Sequence, residues 1–73
     1  MPQIKVRSEI AATVAKVEVT IGAKVAEGDS LILLESMKME IPVYAPAAGT
    51  VVQLLVAAAE TVAEGQVLAL IES

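Results

Sequence analysis

One lysine of this sequence stands where another protein could modify it. Lys38 lies between Met37 and Met39, two of only three methionines in the chain. The apolar run 31–34 precedes this group, and Ile41-Pro42-Val43 follows it. Two strand-like segments therefore meet at a polar turn. Such a turn would hold the side-chain amine of Lys38 out toward an enzyme that recognises and modifies it.

The rest of the composition offers little other chemistry. The chain has no histidine and no cysteine, and Tyr44 is its only aromatic residue. These absences exclude a nucleophile based on histidine or cysteine, a zinc site and a disulfide framework. Glu35 and Glu40 flank the turn, but no base accompanies them, so we interpret them as solvated strand ends. We expect a protein with no catalytic residues and no metal ligands.

Charge and hydropathy narrow the class further. The net charge is −4 and the five basic residues are scattered, which argues against nucleic-acid binding because phosphate contacts need clustered cations. No apolar run approaches the roughly 18 residues of a membrane span. We expect no leader either, because the first residues do not show a charged segment followed by an apolar one. The absence of cysteine fits a reducing compartment. We therefore expect residues 1–73 to form one small soluble cytoplasmic domain.

An internal repeat predicts the architecture. A shift of 37 positions places 14–36 over 51–73 without a gap, and ten of the 23 pairs are identical, among them Gly28/Gly65 and Glu35/Glu72. Two copies are too few for a solenoid. We expect the two halves to pack face to face about a pseudo-two-fold axis as a sandwich. The lysine turn and the chain termini should then lie at opposite ends of the molecule.

The β-branched content, interrupted by glycine and proline, predicts strands rather than helices. A helical turn at 57–59 is the competing interpretation. Alternation places Ala15, Val17 and Val19 on one face of the second strand, and Pro42 indicates an edge strand. Tyr44 is expected to pack, and Gly22 opposite Ala59 in the repeat suggests that one turn differs. The predicted strands are 2–7, 13–19, 23–26, 30–35 (buried on both faces), 39–44, 50–56, 61–63 and 66–72.

These residues resemble a known family. Ser36-Met37-Lys38-Met39, the turn 27–29 before it and Pro46-x-x-Gly49 after it are similar to a biotinyl domain, the biotin carboxyl carrier module of biotin-dependent carboxylases. The resemblance covers essentially the whole chain. The gapless repeat leaves no room for an inserted thumb loop in the first half. The thumbless type found in pyruvate or propionyl carboxylases, or in small free-standing biotinylated proteins, is therefore favoured over the thumbed carriers of some acetyl-CoA carboxylases.

The resemblance implies an all-β flattened barrel of two four-stranded antiparallel sheets, with biotin in amide linkage to Lys38. It implies a carrier without catalytic activity of its own, which shuttles a carboxyl group between biotin carboxylase and carboxyltransferase sites. A biotin protein ligase would attach the cofactor. Met37 and Met39 offer adaptable contact surface beside the arm, and we expect them to help partner proteins recognise it.

Two alternatives from other classes remain. A lipoyl domain shares the implied fold and a lysine at the tip, but usually has an acidic residue before that lysine and alanine after it. The lipoyl-like hairpin domain of a membrane-fusion adaptor is structural, and is usually split by a helical insertion and lacks the lysine. The two methionines and the uninterrupted repeat argue against both.

Overall fold

A computed structural model describes residues 2–73, and within them every regular element is a β-strand. Each of the eight predicted strands is present, with bounds within two residues of those expected. Residues 57–59 form a turn rather than a helix. The strands are β1 Gln3–Arg7, β2 Ala12–Val17, β3 Lys24–Val25, β4 Ser30–Ser36, β5 Met39–Tyr44, β6 Gly49–Leu54, β7 Thr61–Val62 and β8 Val67–Glu72.

The strands form two four-stranded antiparallel sheets, which confirms the predicted fold class. One sheet has the order β1-β8-β6-β3 and the other β5-β4-β2-β7. The sheets remain separate, so the molecule is a flattened sandwich rather than a closed barrel. A shift of 37 residues converts one strand order into the other. Each sheet takes two strands from each half of the sequence, so the halves interlock across both sheets instead of packing face to face as expected.

Four β-bulges occur at positions that the repeat relates, two on β2 and β6 and two on β4 and β8. Ala15 and Val52 are the extra residues of one pair, and Leu31 and Leu68 are those of the other. A bulge inserts one residue into a strand and changes its alternation between the faces. Ala15 therefore lies exposed after the buried Val14, which differs from its predicted place on one face with Val17 and Val19, both half-buried.

The bulges also explain the apolar run of β4. Leu31, Ile32 and Leu34 are fully buried, whereas Leu33 is only half-buried. Two consecutive side chains point inward because Leu31 is the bulged residue, so β4 has one core face and is not buried on both faces as predicted. The corresponding residues of β8 that fill the core are Leu68, Ala69 and Ile71. Full burial of each large side chain contributes roughly 1.5–3 kcal/mol of hydrophobic free energy.

The turn between β3 and β4 in the first half matches the turn between β7 and β8 in the second half. Gly28 and Gly65 both have positive φ, at 91° and 83°. Asp29 Oδ2 accepts a hydrogen bond from the Ala26 amide at 2.8 Å, and Gln66 Oε1 accepts one from the Ala63 amide at 2.9 Å. The same backbone geometry is thus closed by an aspartate in one half and a glutamine in the other.

Every sheet edge carries a feature that hinders pairing with another chain. β3 and β7 have two residues each. β5 is an edge strand and contains Pro42, as predicted. On the fourth edge, β1, the exposed Lys5 and Arg7 alternate with the more buried Ile4 and Val6.

The described part of the chain is elongated, with principal extents of 36 × 18 × 17 Å. From the turn after Ser36, β5 runs away to Tyr44, and residues 45–48 lead to Gly49. A Cβ built on Gly49 would lie 2.6 Å from the carbonyl oxygen of Glu72, which in turn pairs with Gln3. Gln3 and Glu72, near the two ends of the described residues, therefore lie beside Gly49 rather than beside the lysine turn. No helix among residues 2–73 is long and apolar enough to cross a membrane.

Candidate functional site

The lysine turn is the tip of the β4–β5 hairpin. Ser36 pairs with Met39, so Met37 and Lys38 are the two central residues of the turn. Their φ angles are 51° and 66°. Two positive φ values are typical of a type I′ turn, whose twist matches that of the strands it connects. Such turns usually carry Asn-Gly, because left-handed backbone costs other residues roughly 1–2 kcal/mol each.

The tip extends beyond the sheet that supports it. The pairing of β2 with β4 ends at Thr13 opposite Glu35, while the hairpin continues through Ser36 and Met39. Below the tip, Leu34 pairs with Ile41, and Leu34 is buried in the core. The hairpin is therefore anchored by apolar packing at its base and free of neighbouring strands at its end.

All three predicted site residues are exposed at this tip. The Met37 side chain is 92% exposed and that of Met39 62%, and Lys38 is exposed between them. Among the side-chain hydrogen bonds of residues 2–73, none involves Lys38. The structure thus presents the lysine amine to solvent beside two polarisable apolar side chains. An amide bond at Nζ would remove the ammonium charge without breaking a side-chain hydrogen bond among the described residues.

Two carboxylates lie directly below the tip. Glu35 and Glu40 face each other across the hairpin and both are exposed. Like charges in opposed positions of an antiparallel pair are destabilising. In the described part of the chain no three acidic side chains converge as metal ligands would. The pair thus lies where solvated carboxylates were expected.

One residue near the hairpin departs from the expectation. Tyr44 was expected to pack, but 57% of its side chain is exposed. It lines a groove between the two edge strands β1 and β5, together with Ile10, Ile41 and Pro42. Sequence reasoning missed this groove because β1 and β5 belong to different sheets. The occurrence of the chain's only aromatic residue on an edge strand was the one signal that could have indicated it.

Comparison with known proteins assigns the family. The family model described as "Biotin-requiring enzyme", which covers biotin and lipoyl attachment domains, matches residues 1–71. The chain belongs to the biotin/lipoyl family. The resemblance inferred from the residues around Lys38 is thereby confirmed at the level of the family.

The curated relatives that the chain matches are named as biotinylated proteins. The biotinylated protein TB7.3 homologue of Mycolicibacterium smegmatis is 62% identical over 40 residues, and that of Mycobacterium leprae is 60% identical over 40 residues. Each match covers 55% of this chain and 56% of the relative, about half the length of both.

Solved structures with the same fold are parts of much larger carboxylases. The urea carboxylase of Kluyveromyces lactis superposes with a TM-score of 0.92 and 29% identity, over 99% of this chain and 6% of that protein. A single-chain, multi-domain long-chain acyl-CoA carboxylase superposes with a TM-score of 0.88 and 34% identity, over 93% of this chain and 7% of the enzyme. These neighbours favour a biotin-dependent system over a lipoyl domain or an adaptor hairpin.

Proposed function

We propose that residues 1–73 form a biotin carboxyl carrier domain with biotin in amide linkage to Lys38. One observation carries the proposal: Lys38 lies in a two-residue hairpin turn with positive φ, is exposed, and is flanked by two exposed methionines. The family match and the biotinylated relatives support biotin as the attached group. Residue 1, the first of the proposed domain, lies outside the described residues.

The chain's own residues would present the cofactor rather than react with the substrate. Attached biotin supplies a group that accepts a carboxyl at one enzyme site and yields it at another. The hairpin holds the attachment point beyond the sheet, and the flexible lysine stem gives the ring its reach. Attachment to a small domain raises the local concentration of biotin at both partner sites. We propose that the domain itself performs no catalysis.

The proposed partners follow from this role. They are a biotin protein ligase, and the biotin carboxylase and carboxyltransferase domains or subunits of a carboxylase. The structural neighbours support the second set, because they are carboxylases in which this fold is one part of a longer chain. The acyl or keto substrate would bind those partners and not this domain. A cytoplasmic location belongs to the same proposal, since the chain lacks cysteine.

Enzymatic modification of the purified chain tests the proposal. With a biotin protein ligase, ATP and biotin, intact mass should increase by one biotinyl group, and peptide mapping should place it on Lys38. Lys5, Lys16 and Lys24 are exposed on strands rather than in a turn, so they serve as internal controls and should stay unmodified. Biotin on one of these three lysines would refute the assignment, as would preferential modification of Lys38 by a lipoate ligase.

A further inference from the structure

The groove between β1 and β5 has the size and chemistry of a small-ligand site. Its volume is about 430 Å³, within the range of roughly 300–1,000 Å³ usual for ligand pockets. Three half-buried apolar side chains contribute to its lining: Ile10, Ile41 and Pro42. Three exposed side chains add polar groups to the same lining: Arg7, Glu9 and Tyr44.

The groove begins on the same hairpin that carries the lysine. Ile41 follows Lys38 by three residues on β5, and a strand advances about 3.4 Å per residue. The near end of the groove is therefore about 10 Å from the lysine along the strand. β5 is an edge strand, so no neighbouring strand of its own sheet separates the tip from the groove.

We propose that this groove is an internal resting site for the biotinyl group attached to Lys38. The inference rests on the proposed function, since it requires that group. Biotin combines an aliphatic chain and a fused ring with one polar edge, a cyclic urea that has two N–H donors and a carbonyl acceptor. Ile10, Ile41 and Pro42 match the apolar part. The Glu9 carboxylate can accept from the urea N–H groups, and Arg7 or the Tyr44 hydroxyl can donate to its carbonyl.

Arg7 makes one fixed contact beside the groove. Its Nη1 donates to the carbonyl of Gly65 at 2.9 Å. The remaining N–H groups of the guanidinium stay available, because arginine carries five donors.

A resting site of this kind must be weak to be compatible with delivery. The tether makes docking intramolecular, so even a low intrinsic affinity gives appreciable occupancy. A partner enzyme can then bind only the molecules whose biotinyl group is undocked. Its apparent affinity for the biotinyl group falls in proportion to that fraction. The groove would shield the apolar ring from water between transfers and release it to a site of higher affinity.

Nuclear magnetic resonance on the apo and biotinylated chain tests the proposal directly. In the biotinylated form we expect nuclear Overhauser effects between biotin ring protons and the methyl groups of Ile10 and Ile41. The ring signals of Tyr44 should also shift, and their assignment is unambiguous because the chain has no other aromatic residue. Intact mass is measured first. An unmodified chain would count against the proposed function, whereas a biotinylated chain without these effects would overturn only the resting site.

The rate of streptavidin capture provides a second readout. Tyr44→Ala removes a groove residue that is 57% exposed, and Ile21→Ala is the matched control, since Ile21 is 63% exposed and does not line the groove. Tyr44→Ala should raise the capture rate about two- to tenfold through a larger undocked fraction, and Ile21→Ala should leave it unchanged. Thermal unfolding of both variants verifies that they are folded.

Two further results would overturn the proposal. Equal capture rates for the parent chain and Tyr44→Ala would show that the groove does not retain the arm. Shifts of Ile10 and Ile41 that grow with protein concentration would instead assign the groove to a second copy of the chain. Shifts that are independent of concentration and absent from the apo chain support the resting site.

Discussion

At the scale of single residues, left-handed backbone marks the lysine turn and one turn of the second half of the sequence. Three residues other than glycine have positive φ among those described: Met37 at 51°, Lys38 at 66° and Ala59 at 74°. Left-handed backbone persists in such residues only where the surroundings impose it, and it is concentrated at functional sites. At Met37 and Lys38 the strain accompanies the proposed attachment point. At Ala59 no such role is evident.

Ala59 also corrects an expectation from the repeat. Its counterpart Gly22 has φ of 94°, so the turn keeps the same left-handed conformation in both halves instead of differing. The fold requires this conformation even at Ala59, where the residue carries a Cβ. The Ala59 amide donates to the Val14 carbonyl at 2.8 Å, a contact that ties the turn to β2.

We therefore expect Ala59→Gly to stabilise the domain. Glycine adopts the left-handed conformation without strain, which stabilises the folded state. Its greater freedom in the unfolded chain offsets part of this gain, so the free energy of unfolding should rise by about 0.5–1 kcal/mol. Ala58→Gly is the matched control, because Ala58 does not have positive φ. The free energy of unfolding of this variant should fall by about 0.4–1 kcal/mol. Urea denaturation of both variants measures the difference. Equal or lower stability of Ala59→Gly would show that the turn does not strain alanine.

At the scale of elements, the crossing from β5 to β6 depends on a close backbone approach. Gly49 begins β6, and a Cβ there would lie 2.6 Å from both the Glu72 carbonyl oxygen and Ile71 Cγ2. Ile71 is fully buried in the core, so neither neighbour can move without disturbing the packing of β8. The glycine is needed for space rather than for a special φ.

Gly49→Ala should accordingly destabilise the domain by about 1–3 kcal/mol, the usual cost of overpacking a well-filled core. Ala48→Ser at the adjacent exposed position is the control and should change stability by no more than about 0.5 kcal/mol. Thermal unfolding of the two variants and the parent chain gives the comparison. A Gly49→Ala variant as stable as Ala48→Ser would mean that the crossing can relax.

The strands could be predicted because turn residues and apolar segments recur with the repeat. The face of the sheet to which each side chain points could not be predicted, because periodicity assumes an unbroken alternation and the bulges at Ala15 and Leu31 break it. The exposure of the lysine turn followed from a polar segment between two apolar ones. The exposure of Tyr44 and the groove beside it did not, since they depend on how two edge strands from different sheets approach each other.

At the scale of the whole molecule, stability and the proposed function occupy different places. The core lies between the sheets, and the paired residues Gln3 and Glu72 lie beside Gly49 rather than beside Lys38. A domain of this size has a net stability on the order of 4–11 kcal/mol. A single core substitution therefore affects a large share of that stability, whereas a change at the tip should affect very little of it.

Paired substitutions test this separation. Lys38→Arg keeps the positive charge at an exposed position and should change the free energy of unfolding by no more than about 0.5 kcal/mol. It should abolish biotin acceptance, because a guanidinium does not form the amide that the lysine amine forms.

Leu34→Ala truncates a side chain that is 1% exposed and should lower the free energy of unfolding by about 2–5 kcal/mol, while molecules that remain folded still accept biotin. Leu33→Ala, on the same strand but half-buried, should cost less. Thermal unfolding and intact mass after ligase treatment measure both properties. A biotinylated Lys38→Arg chain would place the attachment site elsewhere.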